Sequence, residues 1–378
     1  NSAMDSVLVT VLASPTVTYN TDTTFVCIGS ETYAIANLTG SAPYSYTYNG
    51  IIVSGIANAI DSIMVNTTTD VMYRLTSITD NNGCTSTGNL DSMLIHVNAL
   101  PTIAVSDNDT MCYGDSVMLT MNFTGASPWS YDVFDGTSTM SQNATNAITD
   151  VYAGPMVSTN YKLTSVTDNN GCVTTGNLDS VYILVNSLPT VVASDNDSIC
   201  YGDSAQISLT FTGAAPYSFS VNDGSSVFSD NSAINAFTAY AGPIATTNYV
   251  LVDITDANGC NTSGLIDSIE IFVHALPAKP SFTGLNADYC VDAADASLTP
   301  NPIGGTFTGT GVTGNFFSPA TAGAGSYDVV YTVTDVNNCS NGDTMSTIVN
   351  ALPVVQLSGL AAAYCIDDMA TTLVGSSS

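Results

Sequence analysis

The residues in this chain best equipped for chemistry are its cysteines, nine in all. Four of them each close a copy of one short run. The copies are Ile78-Thr79-Asp80-Asn81-Asn82-Gly83-Cys84, Val166-Thr167-Asp168-Asn169-Asn170-Gly171-Cys172, Ile254-Thr255-Asp256-Ala257-Asn258-Gly259-Cys260 and the looser Val333-Thr334-Asp335-Val336-Asn337-Asn338-Cys339. Cys27, Cys112, Cys200 and Cys290 stand near the start of the same four stretches, and Cys365 begins a fifth. Two thiols per repeat, at repeating places, read as one disulfide in each: Cys27 with Cys84, Cys112 with Cys172, Cys200 with Cys260, Cys290 with Cys339. Closing a loop of about 60 residues would stabilise a small domain by ~4 kcal/mol on the chain-entropy account. The other reading is pairs of buried thiols in a reducing compartment.

Aspartates come next. Asp107-Asn108-Asp109 and Asp195-Asn196-Asp197 place hard oxygens at alternate positions, a pattern suited to Ca²⁺. Asp107, Asp109, Asp195 and Asp197 are thus weak calcium candidates, since Asx-rich turns are common without metal. No other cofactor is expected. The two histidines, His96 and His274, fall at what reads as one place in two copies of a strand, a structural position. No nucleophile elbow, zinc spacing or phosphate loop is present, and no catalytic residue is assigned. The single Trp and 19 Tyr could stack on sugars. Yet Trp129, Tyr131, Tyr217 and Phe219 alternate with polar residues in a way that points them into a core.

These residues must be positioned by strands. Val117, Leu119, Met121 and Phe123 alternate with polar neighbours, as do Ala205, Ile207, Leu209 and Phe211. Runs at Trp129, Tyr217 and Tyr44 end in Asp135-Gly136, Asp223-Gly224 and Asn49-Gly50, which are hairpin signals. No segment has a helical period. About seven short strands in under 90 residues predict an all-β chain of tandem immunoglobulin-like antiparallel β-sandwich domains in an extended rod, with a small barrel as the alternative. Leu-Pro pairs at Leu100-Pro101, Leu188-Pro189, Leu276-Pro277 and Leu352-Pro353, with Ser14-Pro15, read as short stiff linkers. They divide the chain into domains at 15–100, 101–188, 189–276 and 277–352, the last a shorter, Gly-rich subtype. Residues 1–14 resemble the last strand of a truncated preceding domain, because 5–11 aligns on 179–185. Residues 353–378 resemble the start of a truncated following one.

Composition narrows the partners. The 32 acidic residues face only three basic ones, Arg74, Lys162 and Lys279, for a net charge of −29. Phosphate contacts need Lys and Arg, so nucleic acid is excluded as a partner, and an anionic membrane surface is disfavoured. No run of about 18 apolar residues exists to enter a membrane.

The Thr-Asp-x-Asn-Gly-Cys run, the Leu-Pro linkers and the segment Gly304-Gly305-Thr306-Phe307-Thr308-Gly309-Thr310-Gly311-Val312 resemble the tandem Ig-like/PKD-like repeats of giant Bacteroidota cell-surface proteins. Among these are the SprB-type gliding-motility adhesins exported by the type IX secretion system. The resemblance implies an extracellular, cell-surface location. It also implies O-glycosylation at Asp-(Ser/Thr)-apolar or Thr sites: Ser6, Thr23, Ser62, Ser92, Thr110, Ser116, Ser180, Ser198, Ser204, Ser268 and Thr344. The same pattern reads equally as a strand opener. The expectation is a non-enzymatic stalk of a large secreted adhesin, in gliding motility or surface attachment. Its partners would be neighbouring repeats of the same long chain, with surface polysaccharide or other surface proteins as further contacts. The alternatives are carbohydrate- or matrix-binding modules, and a filament subunit.

Overall fold

The computed structural model describes residues 6–377. The chain splits into two compact units, Asn1–Ser187 and Leu188–Ser378.

In the first unit, residues 101–186 show the plan. One sheet has five strands in the order Asp109–Cys112, Val173–Asn186, Thr159–Thr167, Trp129–Phe134 and Thr139–Ala144. The facing sheet has three: Ile148–Ala153, Val117–Phe123 and Ile103–Val105. The predicted alternation is what builds the core. Val117, Leu119, Met121 and Phe123 are buried while their neighbours face out, and Trp129, Tyr131 and Val133 do the same from the opposite sheet. Phe123 stacks on Trp129 with ring centroids 5.3 Å apart. Residues 17–98 repeat the plan, with the five-stranded sheet Thr23–Cys27, Thr85–Asn98, Val71–Thr79, Tyr44–Tyr48 and Ile51–Ile56 facing Val17–Tyr19, Thr32–Leu38 and Ile60–Val65. The fold is an immunoglobulin-like β-sandwich, in tandem.

One pairing departs from the antiparallel expectation. The strand carrying the early cysteine runs parallel to the long last strand, with Cys27 opposite Asn98 and Cys112 opposite Asn186. The other pairings in each sandwich are antiparallel.

In the second unit, residues 190–274 repeat the plan, including the parallel pair with Cys200 opposite His274. Residues 281–350 keep only part of it. Their main sheet has four strands, Asp288–Cys290, Ser340–Asn350, Gly325–Thr334 and Thr306–Thr308, and the facing strands are two or three residues long, with a single helical turn at Pro319–Ala322. Glycine is required here: a Cβ on Gly305 would stand 2.3 Å from the Thr332 carbonyl oxygen. Buried Tyr331 takes the space instead, accepting a hydrogen bond from the Gly305 amide at 2.8 Å and donating to the Pro302 carbonyl at 2.6 Å. A hairpin, Val355–Ser358 with Val374–Ser377, follows.

Residues 6–14 form no strand, although they align on one. Val7, Leu8, Val9 and Val11 are exposed and, among the described residues, no ladder flanks them; a strand exists only with a hydrogen-bonded neighbour. Residues 1–5 of that stretch, and Ser378, lie outside the described residues.

Candidate functional site: the cysteine corner

Each Thr-Asp-x-Asn-Gly-Cys run forms a corner held by its own carboxylate. Asp168 is 5% exposed. Its Oδ1 accepts the Asn170 and Cys172 amides, both at 3.0 Å, and its Oδ2 accepts the Ala126 amide at 3.1 Å from the loop between Phe123 and Trp129. The Asp168 amide in turn donates to the Cys172 carbonyl at 3.0 Å, closing the turn, and Gly171 adopts φ 77° to allow it. Asp80 and Asp256 repeat both halves of this arrangement, and Asp335 repeats the bonds to its own turn. For Asp80, burial pushes the carboxyl pKa up, but the Ser41, Cys84 and Asn82 amides outweigh it and the net direction is down. These carboxylates are therefore structural anchors whose lone pairs are spent on backbone amides.

The Leu-Pro junctions are built into the same corner. Pro101 is buried, its carbonyl accepts the Thr174 hydroxyl at 2.6 Å, and its ring lies beside Gly125. Gly125 has φ +101°, and a Cβ there would sit 2.9 Å from Asp168 Oδ2 and 3.1 Å from the Pro101 ring. Ser86 and Thr262 hold Pro15 and Pro189 in the same way.

The cysteine pairing differs from the one expected. Cys27 bonds Cys172, with Cα atoms 5.5 Å apart, and Cys200 bonds Cys339, at 5.4 Å. Cys112 and Cys260 are disulfide-bonded as well. Cys84, Cys290 and Cys365 are free thiols. The expected pairs Cys27–Cys84, Cys112–Cys172, Cys200–Cys260 and Cys290–Cys339 are thus corrected: the bridges Cys27–Cys172 and Cys200–Cys339 each join the early cysteine of one sandwich to the corner cysteine of the next. The reason lies in the parallel strand. Cys172 immediately precedes the 14-residue strand Val173–Asn186, and Cys112 pairs with the far end of that strand. At about 3.3 Å per residue the two cysteines of one sandwich are roughly 45 Å apart, whereas a disulfide needs Cα atoms within about 7 Å. The far end of a last strand is instead where the next sandwich begins.

The other candidates are placed as follows. Asp107, Asp109, Asp195 and Asp197 lie in exposed loops and strand starts. Asp109 and Asp197 accept the amides of Thr110 and Ser198, each at 2.7 Å. Between them, Asn108 and Asn196 tie the loop to the last strand by accepting the Tyr182 and Glu270 amides. Among the described residues no group of three His, Cys, Asp or Glu side chains converges to hold a metal ion.

The strand register separates the histidines: His274 takes the place of Asn98 and Asn186, and His96 that of Leu184. His96 lies 2.8 Å from Asp70 through Nδ1, and its ring meets Phe25 edge-on. Trp129, Tyr131, Tyr217 and Phe219 are all buried.

Of the glycosylation candidates, Ser92 is half-buried and Ser6, Thr23, Ser62, Thr110, Ser116, Ser180, Ser198, Ser204, Ser268 and Thr344 are exposed. The aspartates in these motifs already have a structural task. Asp91, Asp179 and Asp267 each accept the amide of the following serine at 2.8 Å. Their second oxygens accept the amides of Tyr19, Val105 and Ala193 from the facing sheet. Sequence reading missed this sheet-to-sheet bond, although its signal was present: an aspartate at one fixed place in three copies of the last strand.

No protein-family model and no curated protein matches the sequence. Among solved structures the chain is similar to the titin I-band fragment I67–I69, at 11% identity over 70% of this chain and all of that one, with a TM-score of 0.41. It is similar to the ICAM-5 D1–D4 ectodomain fragment, at 12% identity over 90% and 100%, with a TM-score of 0.36. It is also similar to a tetra-tandem repeat from the extending region of a large adhesion protein, at 16% identity over 89% and 99%, with a TM-score of 0.27.

Proposed function

We propose that this chain is a non-enzymatic spacer section of a large secreted cell-surface adhesin, used in surface attachment or gliding motility. The observation that carries the reading is the pairing of Cys27 with Cys172 and of Cys200 with Cys339, each joining one repeat to the next. A catalytic or binding domain gains little from a covalent tie to its neighbour. A spacer under tension gains a second covalent connection at each junction. Oxidised cysteines fit an extracellular compartment, and a surface dominated by Asp over Lys and Arg keeps neighbouring strands apart in solution. In this reading the repeats contact chiefly one another, and a ligand-binding region lies elsewhere. The test is antibody labelling of intact cells of the source organism. Labelling before permeabilisation supports the reading; labelling only afterwards refutes it.

A second reading has its own observation. Tyr152 and Tyr240 occupy equivalent places on facing-sheet strands and are both 74% exposed. Each lines an apolar cleft at the sandwich edge, beside Met140 and Phe228 respectively. Recurring exposed aromatics on one face suit a carbohydrate- or matrix-binding module. Saturable binding to a polysaccharide or matrix protein, abolished in Tyr152→Ser/Tyr240→Ser, would favour it over the spacer.

A further inference from the structure

Cys84 and Cys290 are complementary halves of the bridge seen twice in this chain, and we propose that each forms that bridge with a further repeat of the same kind. The inference rests on the spacer reading but concerns a different bond.

Both halves are already shaped for it. Cys84 sits in the same corner as Cys172 and Cys339: its amide donates to Asp80 Oδ1 at 3.0 Å, as the amides of Cys172 and Cys339 donate to Asp168 and Asp335 at 3.0 and 2.9 Å. Cys290 ends the strand Asp288–Cys290, which runs parallel to Ser340–Asn350 and places Cys290 opposite Asn350. Cys27 and Cys200 stand opposite Asn98 and His274 in the same way, and both are bridged. The bridging rule runs in one direction, from an early cysteine to the corner of the following repeat. Cys84 therefore calls for the early cysteine of a repeat placed before it, and Cys290 for the corner cysteine of a repeat placed after it. Both thiols are accessible, Cys290 being exposed and Cys84 half-buried. Cys365 lies outside any strand and has no parallel partner, so it lacks the geometry of the early cysteines.

The chemistry needs an oxidant, which a small disulfide such as oxidised glutathione supplies. The Cys84 thiolate attacks one glutathione sulfur and releases a glutathione thiolate. The incoming cysteine's thiolate then attacks the Cys84 sulfur of the mixed disulfide and releases the second. Two protein thiols are oxidised and one glutathione disulfide is reduced to two thiols, which take up the two protons that the protein thiols give up.

The incoming repeat can belong to a second copy of this chain or to a further repeat of a longer one, and the experiment separates them. The 378-residue chain is equilibrated in a glutathione redox buffer and run on a non-reducing gel, with its cross-linked peptides identified by mass. The expected result is a ladder at multiples of 39.0 kDa, joined by Cys84–Cys290 peptides that outnumber Cys84–Cys365 peptides at least tenfold. Cys84→Ser and Cys290→Ser should each remove the ladder while leaving the circular dichroism spectrum unchanged, and Cys365→Ser should leave it intact. Free thiols at equilibrium, or Cys84 joined indifferently to Cys290 and Cys365, overturn the proposal. In material from the native source, Cys84 joined to Cys290 identifies a second copy. Cys84 joined to the early cysteine of another repeat sequence identifies a longer chain, and Cys84 capped by glutathione or free overturns both.

Discussion

Pulling on the two ends of this chain should reveal how little of it lies on the load path. The bonds Cys27–Cys172 and Cys200–Cys339 enclose stretches with sequence separations of 145 and 139. A force applied at the termini enters before Cys27, crosses to Cys172, runs along the last strand to Cys200, crosses to Cys339 and leaves. Everything between the bonded cysteines is shunted. An extended chain spans at most about 3.3–3.6 Å per residue, so the fully stretched oxidised molecule should reach about 30 nm. The reduced molecule should reach about 130 nm, because each opened bond returns about 50 nm of contour. Single-molecule force spectroscopy with and without a phosphine reductant measures this directly. Oxidised traces should lack the sawtooth unfolding peaks of tandem sandwiches, and reduction should restore them. Oxidised traces that extend to about 130 nm, or that show the same peaks as reduced ones, would refute the cross-repeat pairing and the spacer reading that depends on it.

Other perturbations act at the corner. Asp168→Ala removes an acceptor from three amides, two of them in the turn that carries Cys172; at about 1–3 kcal/mol for a buried donor left unpaired, destabilisation of about 3 kcal/mol is expected in urea unfolding. Gly125→Ala should cost about 2–3 kcal/mol, from positive φ together with contact on Asp168 and Pro101, whereas Gly136→Ala, with similar φ and open space, should cost only about 1. The hairpin aspartates set an acid limit. Backbone amides of Ser138 and Thr137 hold Asp135 below the usual carboxylate range, and those of Ser226 and Ser225 hold Asp223 at about 2. A depressed folded-state pKa gives stability that is fully present above the unfolded value, near 4, and is lost as pH falls toward 2. The melting temperature should therefore decline over that window, and Asp135→Asn/Asp223→Asn should flatten the decline; an unchanged slope would remove these groups from the account.

Much of this was legible in the residues. Alternation at Val117–Phe123 and Trp129–Val133 fixed which side chains face the core, because a strand exposes its neighbours on opposite faces, and the burial follows it residue by residue. The turn at Asp168-Asn169-Asn170-Gly171-Cys172 was legible as a corner for the same reason that Gly171 needs positive φ. What the residues did not show was direction. A strand ending in Cys112 can pair either way with Val173–Asn186, and hairpin statistics favour antiparallel, which would draw Cys112 toward Cys172. The parallel register sends it to the opposite pole instead. The Asp-Asn-Asp runs mark a second limit: nothing in the residues themselves shows that Asn108 reaches the Tyr182 amide 74 positions along.

The length of the last strand is what makes the cross-repeat bond possible. In the first three repeats this strand is 14 residues, and in the fourth it is 11. In all four the corner cysteine precedes its first residue and the early cysteine faces its last. A strand may therefore lengthen or shorten between repeats without breaking the scheme, since both cysteines move with its ends. The scheme instead fixes the junction. Between Asn98 and Pro101 only two residues intervene, Pro101 is locked by Thr174, and the Cys27–Cys172 bond spans the same gap. Lengthening that junction by a flexible insertion of about four Gly/Ser residues would leave both sandwiches intact but loosen the corner against the early strand. Cys27 and Cys172 should then become reducible at lower thiol concentration, which alkylation mass spectrometry can follow. An insertion that left their reduction midpoint unchanged would mean that the bond is held by contacts other than the junction.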